Sequence, residues 1–191
     1  MTVIRLLDGS KVYLHGVIDN FSRRILAWHV ALHNRAEGTA TVLMQAVKGS
    51  MAATTPMLVV DGGSENYNSA VDELIGEGSL RRVLAQTEIR FSNSMIEAFW
   101  RSLKHQWLFL NTLDSKAAVE RLVAFFVDAH NSQLPHSAFD GQTPDEMYFG
   151  VGETIPEELA EARQQAVQAR LESNRAMSCG ICPRSNPPPP A

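Results

Sequence analysis

Two acidic residues, Asp61 and Glu97, have the type and surroundings needed for metal chemistry. Asp61 follows the apolar run 57–60, which is typical of a buried strand, and precedes two glycines that leave room for a ligand. Glu97 lies near the start of a segment with helical periodicity, and 35 residues separate it from Asp61. Carboxylates are ligands that Mg²⁺ prefers, and two such ions can assist an in-line phosphoryl displacement. Taken singly, either acid is more often a turn residue or a partner of the helix dipole.

The residues around these acids predict alternating strands and helices. The expected strands are 2–7, 11–18, 24–32, 57–60 and 82–85, with tight turns at 8–10 and 20–22. The expected helices are 36–48, 68–75, 94–108, 116–130, one from Pro144, and 156–175, and the segment 131–137 is expected to be a loop. This order indicates an α/β protein in which a three-strand meander is joined by crossover connections to two further strands.

Composition is ordinary for a soluble globular protein, with 45% hydrophobic and 20% charged residues. No apolar run approaches the roughly 20 residues that span a bilayer, and the N-terminus does not read as a signal peptide. We therefore expect a cytoplasmic protein with no membrane partner. The only cysteines, Cys179 and Cys182, suit a reducing compartment. Their spacing matches one half of a zinc site, but no second pair follows, and whether they bind a metal stays open.

The net charge of −4 and the pI of about 5.9 count against a protein that binds DNA by non-specific phosphate contacts. The acids are unevenly placed, however. Five of them fall within the polar segment 151–172, so the part of the chain that precedes it is closer to neutral. Charge therefore leaves DNA open as a partner.

Several segments together resemble the DDE transposases of bacterial insertion sequences and the retroviral integrases. The matching segments are Gly16-Val-Ile-Asp-Asn-Phe-Ser-Arg-Arg-Ile-Leu-Ala-Trp28, the Asp61 segment 59–66, the helix 93–104, His130-Asn131, Pro135-His136 and Gly141-Gln-Thr-Pro-Asp-Glu146. The resemblance covers about residues 1–150. It implies an RNase H-like fold, with a mixed five-stranded sheet flanked by helices. Residues 151–191 are then a C-terminal extension, made of a polar helix and a Pro-rich tail.

The same resemblance implies the chemistry. Asp61 and Glu97 match the second and third catalytic acids, which hold two Mg²⁺ or Mn²⁺ ions in the family. Arg101 and Lys104 lie one and two turns beyond Glu97 on the same helical face, where basic residues of the family contact DNA. The implied activity is transposition or integration, in which a homo-oligomer cleaves the ends of an element and joins them to target DNA.

The first acid of the family has no evident counterpart. In the family it lies two residues before a Thr that an apolar run follows, and Thr2-Val-Ile matches what comes after it. This alignment places the acid just before Met1, so we expect a truncated core with impaired or absent strand transfer. Asp8 and Asp19 are the nearby acids, and we expect both to be structural.

Two other functions stay open. A stand-alone RNase H-like nuclease would hydrolyse DNA without joining it, whereas a non-catalytic DNA-binding or dimerisation remnant would bind no metal. Of the remaining polar residues, His130 and His136 are expected to position the loop between them. Glu65 is expected to form hydrogen bonds near Asp61, and the loop 89–93 is expected to become ordered on DNA.

Overall fold

Three antiparallel strands form the N-terminal sheet, in the order β1 (Thr2–Arg5), β2 (Lys11–Ile18) and β3 (Ile25–Ala31). The computed structural model describes residues 1–50, 54–60, 69–84 and 94–177. The turn between β1 and β2 is closed by Asp8, whose Oδ1 accepts hydrogen bonds from the backbone N and the Oγ of Ser10 at 2.8 and 2.7 Å. Gly9 has a φ of +85°, a backbone conformation that favours glycine. The predicted meander is confirmed.

A second, two-stranded sheet follows. Helix α1 (Ala36–Lys48) leads to β4 (Met57–Val60), and α2 (Ser69–Gly76) connects β4 to the parallel strand β5 (Arg81–Leu84). Among the described residues the ladders therefore form sheets of three and two strands, where the sequence predicts one five-stranded sheet. A groove lies between β2 and β4. Helix α1 packs on β2, β3 and α2, and so connects the two sheets through side chains.

Four helices complete the chain: α3 (Ser94–Gln106), α4 (Lys116–Ser132), α5 (Pro144–Phe149) and α6 (Ile155–Ala176). A 3₁₀ turn, Leu108–Leu110, separates α3 from α4. The predicted starts of α4 and α5 are confirmed by their caps. Ser115 Oγ accepts a hydrogen bond from the N of Ala118, and Thr143 forms a capping box with Glu146 while Pro144 occupies the first turn.

The largest hydrophobic core joins the three-stranded sheet to α3 and α4. Its most buried members are Ile4, Val12, Leu14, Val30, Leu103, Leu108, Val119 and Val123. Helix α6 contributes little, since its side chains are exposed from residue 160 onward. Within the described ranges, none of the helices has the length and apolar character to cross a membrane.

Some predicted boundaries differ from the structure, since β1 ends at Arg5 and α3 at Gln106, and the end of α4 differs for a clear reason. The sequence predicts that residues 131–137 are a loop, but α4 continues to Ser132. Asn131 is buried in this last turn and its amide bonds to the backbone of Ile25 in β3. The helix extends because this distant contact stabilises its end, and the chain leaves the helix before Pro135.

Candidate active site

A groove of about 400 Å³ lies between β2, α1 and β4. Its rim includes Val60 at the end of β4, Glu97 in the first turn of α3, Asp19 after β2, and Met1. Asp61 follows Val60 directly in the chain but lies outside the described residues, as do Glu65, the loop 89–93 and both cysteines. The structure therefore brings Glu97 to the groove that also holds the strand end next to Asp61.

The orientation of Glu97 follows from how α3 packs. Phe99, Trp100 and Leu103 are buried against the sheet, whereas Glu97 is exposed. Trp100 lies so close to Gly16 that a Cβ there would be 2.7 Å from Cη2 of the indole. Because Gly16 has no side chain, the helix can approach β2 closely. This contact fixes the buried face of α3 and turns the Glu97 carboxylate towards solvent at the groove.

The opposite side of α3 is fixed by α4. The rings of Phe99 and His130 meet edge to face with centroids 4.9 Å apart. His130 Nε2 lies 2.9 Å from the carbonyl oxygen of Arg23, and since a carbonyl only accepts, this nitrogen donates. Burial is the main cause that lowers the pKa of His130, although the hydrogen bond to Arg23 opposes it. His130 thus connects α3 to the turn before β3, and its predicted role in positioning the loop that follows α4 stays a prediction.

Two basic residues lie close to Glu97 along α3. Arg101 is exposed and Lys104 is partly buried. Burial lowers the pKa of Lys104, and the negative charge of Glu97 counteracts this effect. Lys104 follows Glu97 by seven positions, which puts the two residues on the same side of the helix. Contact of either residue with DNA stays a prediction.

The two acids expected to be structural have structural partners. Asp19 Oδ2 accepts hydrogen bonds from the N and the Oγ of Ser22, at 2.8 and 2.6 Å. This turn places Arg23 at a φ of +65° before β3 begins. Hydrogen bonds from Ser10 lower the pKa of Asp8, which is fully exposed in its turn. Asp19 differs from Asp8 in one respect, because it also lines the groove.

The donor chemistry at this edge fits a hard divalent cation, since Glu97 offers an exposed carboxylate and the residue after Val60 is another acid. Within the four described ranges, no group of three or more His, Cys, Asp or Glu side chains is close enough to hold a metal ion.

Sequence reasoning missed one interaction that connects two of the motifs. Arg24 Nε lies 2.6 Å from Asp145 Oδ1, and the guanidinium carbon is 5.1 and 5.2 Å from the ring centroids of Tyr148 and Phe149. This contact attaches α5 to the start of β3. The sequence gives one indication of this contact, which is that Arg24 and Asp145 each lie in a segment that resembles the family.

Comparison with known sequences gives matches along most of the chain. A family model described as the integrase core domain matches residues 1–96, and a second model with the same description matches residues 83–144. An uncharacterised protein of insertion element IS136 from Agrobacterium fabrum is 25% identical over 143 residues, which are 72% of this chain and 73% of the relative. A protein from Escherichia coli K12 that bears the name of a transposase of IS150 is 21% identical over 140 residues, but the match spans only 50% of its length.

Comparison with solved structures gives the fold. The catalytic core domain of HTLV-2 integrase, solved with magnesium in a dimeric form, superposes with a TM-score of 0.59 and 15% sequence identity. The match covers 77% of this chain and 90% of the viral domain. The α/β, RNase H-like fold predicted from the sequence is confirmed by this likeness.

Proposed function

The chain belongs to the integrase core domain family, and we propose that it serves the metal-dependent phosphoryl transfer by which such domains cut and join DNA, with strand transfer impaired because the family's first acid has no evident counterpart here. Residues 1–150 form the catalytic core in this proposal, and α6 with the remainder of 151–191 is an extension to it. The substrates are the DNA ends of a mobile element and a target DNA. The working form is a homo-oligomer.

The observation that carries the proposal is the position of Glu97. Its carboxylate is exposed on the rim of the groove that also holds Val60, the residue before Asp61. An acid that follows a strand and an acid at a helix start can share cations only if the two elements meet at one edge. Helix α3 meets this condition because Trp100 and Phe99 hold it against β2 and α4.

In this mechanism Asp61 and Glu97 would hold two Mg²⁺ or Mn²⁺ ions. When bound, the ions would neutralise charge on the attacking and leaving oxygens of the phosphodiester. Arg101 and Lys104 lie further along α3 and bind phosphates of the DNA, which keeps the scissile bond near the carboxylates. The protein therefore contributes position and charge, and no covalent intermediate with the enzyme is required.

Metal binding by the full chain is the first test. Titration with Mn²⁺ in a calorimeter is expected to show saturable binding in the wild type and its loss in Asp61→Asn and Glu97→Gln. Glu161→Gln, on the exposed part of α6, is the matched control and should bind as the wild type does. Wild-type affinity in both groove variants would disprove the proposal, and an absence of binding in all proteins would favour the non-catalytic remnant.

A second assay separates joining from hydrolysis. The chain is incubated with supercoiled plasmid and a labelled duplex oligonucleotide in Mg²⁺ or Mn²⁺. The proposal expects nicked plasmid together with a low yield of label joined to it, since the first acid has no evident counterpart, and both products should disappear in Glu97→Gln. Nicking without joined label would instead support the stand-alone nuclease.

A further inference from the structure

The segment that joins β2 to β3 spans residues 19–24, and we call it the β2–β3 turn. Asp19 Oδ2 accepts hydrogen bonds from the N and the Oγ of Ser22, which is completely buried. The backbone N of Arg23 donates to the carbonyl oxygen of Asp19, and the N of Asp19 donates to the carbonyl oxygen of Arg24, both at 2.8 Å. These hydrogen bonds leave the backbone little freedom, so the side chains leave the turn in set directions.

Phe21 extends from the β2–β3 turn into solvent, although phenylalanine is among the residues most often buried in folded proteins. It is 67% exposed, and the two residues before it, Asp19 and Asn20, line the groove that also includes Glu97. Phe21 thus follows the lining of the candidate active site directly in the chain. A side chain with two rotatable bonds on a fixed backbone loses little entropy on binding, which makes it suited to contact another molecule.

Arg23 adds a positive charge to the same turn. The neighbouring Arg24 is paired with Asp145, with 2.6 Å between Nε and Oδ1, whereas Arg23 makes no ion pair within the part of the chain that the structure describes. Burial lowers the pKa of His136, and the charge of Arg23 lowers it further, so this imidazole is mainly neutral near pH 7. The guanidinium group of Arg23 is therefore available to an anion from outside the fold.

The side chains of the β2–β3 turn fit unpaired nucleic acid better than a protein partner. Proteins bind unpaired nucleotides with an exposed aromatic ring beside a cation, because a base stacks on the ring and the cation binds a phosphate. A protein interface needs a wider apolar surface at its centre. The residues on either side of Phe21 are the polar Asn20 and the buried Ser22, so one ring is the only large apolar group that the turn exposes.

We propose that Phe21 stacks on an unpaired base at the end of the DNA substrate and that Arg23 binds an adjoining phosphate. This contact holds the DNA end open beside the groove, and so gives the carboxylates at the groove access to a phosphodiester near that end. The inference rests on the DNA substrate of the proposed function, but it does not depend on the metal chemistry.

Two DNA duplexes of equal length test the stacking, one with fully paired ends and one with mismatched ends. Binding of the full chain to each is measured by fluorescence anisotropy without divalent metal, so that no cutting occurs. The wild type is expected to bind the mismatched ends about fivefold or more tightly, because no base pairing opposes the stacking. Phe21→Ala should lose about fivefold or more of this affinity, so that its preference for mismatched ends disappears.

A larger ring and a salt titration separate the roles of the two side chains. Phe21→Trp should bind mismatched ends at least as tightly as the wild type, since indole offers a larger stacking surface. Phe21→Ala should keep the slope of log K against log salt concentration, because it removes no charge. Arg23→Gln should lower this slope by about one unit. An equal loss of affinity in Phe21→Trp and Phe21→Ala would show that the ring does not act by stacking.

The matched control is Phe109→Ala, which removes another exposed phenylalanine, beyond the end of α3 that is far from Glu97. It should bind both duplexes as the wild type does. Equal affinity of the wild type for the two duplexes, or a Phe21→Ala variant that keeps the preference for mismatched ends, would overturn the proposal. A loss of Mn²⁺ binding or of nicking with an intact end preference would instead contradict the proposed function and leave the Phe21 contact standing.

Discussion

Asn131 forms both of its hydrogen bonds with the backbone of Ile25, 106 positions earlier in the chain. The side-chain Oδ1 accepts from the Ile25 N at 2.9 Å, and Nδ2 donates to the Ile25 O at 3.0 Å. An amide is the one side-chain group that supplies an acceptor and a donor in this geometry without a charge. The last turn of α4 is thus connected to the first residue of β3, next to the His130–Arg23 contact.

Replacement of Asn131 by Ala is expected to destabilise the protein by about 2–4 kcal/mol, because both backbone groups of Ile25 lose a buried partner. For a chain of this size the melting temperature should fall by roughly 4–16 °C. Ser132→Ala is the matched control, since Ser132 is exposed and bonds only to the Asp128 carbonyl within its own helix. Thermal unfolding followed by circular dichroism measures both. Equal melting temperatures for the two variants would contradict a clamping role for Asn131.

The Arg24–Asp145 pair is expected to contribute less. The two side chains are 23% and 27% exposed, so solvent screens the attraction between them. A double-mutant cycle with Arg24→Ala and Asp145→Ala should give a coupling energy of about 0.5–1 kcal/mol. The coupling should decrease in 1 M NaCl, whereas packing of Arg24 on Tyr148 and Phe149 should persist. Urea unfolding of the four proteins at low and high salt provides the measurement. A coupling energy near zero at low salt would show that the pair does not hold α5.

Local signals in the sequence account for most of the predicted elements. The bounds of α1 and β4 agree with the structure because the apolar periodicity of α1 and the short apolar run of β4 are both local. The cap of α5 is equally local, since Thr143, Pro144 and Glu146 are close together in the chain. What these signals cannot give is the pairing of distant segments. The Asn131–Ile25 and Arg24–Asp145 contacts each span more than 100 positions.

The candidate site, too, could be predicted only in part from the sequence. The periodicity of α3 predicts which face is buried, so the exposure of Glu97 and Arg101 was accessible from the sequence. The groove was not, because it is lined by residues of β2, α1 and β4, and local signals do not show how these elements come together. Asp61 lies outside the described residues, and its pairing with Glu97 stays a prediction.

Lys104 is expected to affect DNA and metal binding in opposite directions. Lys104→Gln removes a positive charge that interacts with Glu97. Its affinity for duplex DNA is measured by fluorescence anisotropy between about 50 and 200 mM salt, the range over which phosphate contacts weaken. The affinity should decrease, and the slope of log K against log salt concentration should fall by about one unit. Mn²⁺ binding should tighten by a factor on the order of 2–5, since a competing cation is gone. Lys48→Gln, at the end of α1, is the control and should change neither. A simultaneous loss of both affinities would contradict this separation.

His130 is expected to make the fold sensitive to mild acid. Burial lowers its pKa below the ordinary value of 6.5, so the folded protein binds this proton less readily than the unfolded chain does. As the pH falls, the unfolded chain therefore takes up this proton before the folded protein does. The stability that neutral His130 contributes above pH 6.5 is lost as the pH decreases from 6.5 through the lowered pKa of the folded state. His136 and Asp145 also face His130 and have opposite effects on its pKa, since His136 lowers it and Asp145 raises it.

The melting temperature of the wild type should therefore fall between about pH 7 and pH 5. The fall should be shallower in His130→Gln, because the glutamine amide can still donate to the Arg23 carbonyl but cannot titrate. Since His136 titrates in both proteins, the difference in slope isolates His130. Parallel melting curves for the two proteins across this range would show that His130 is not the group that responds.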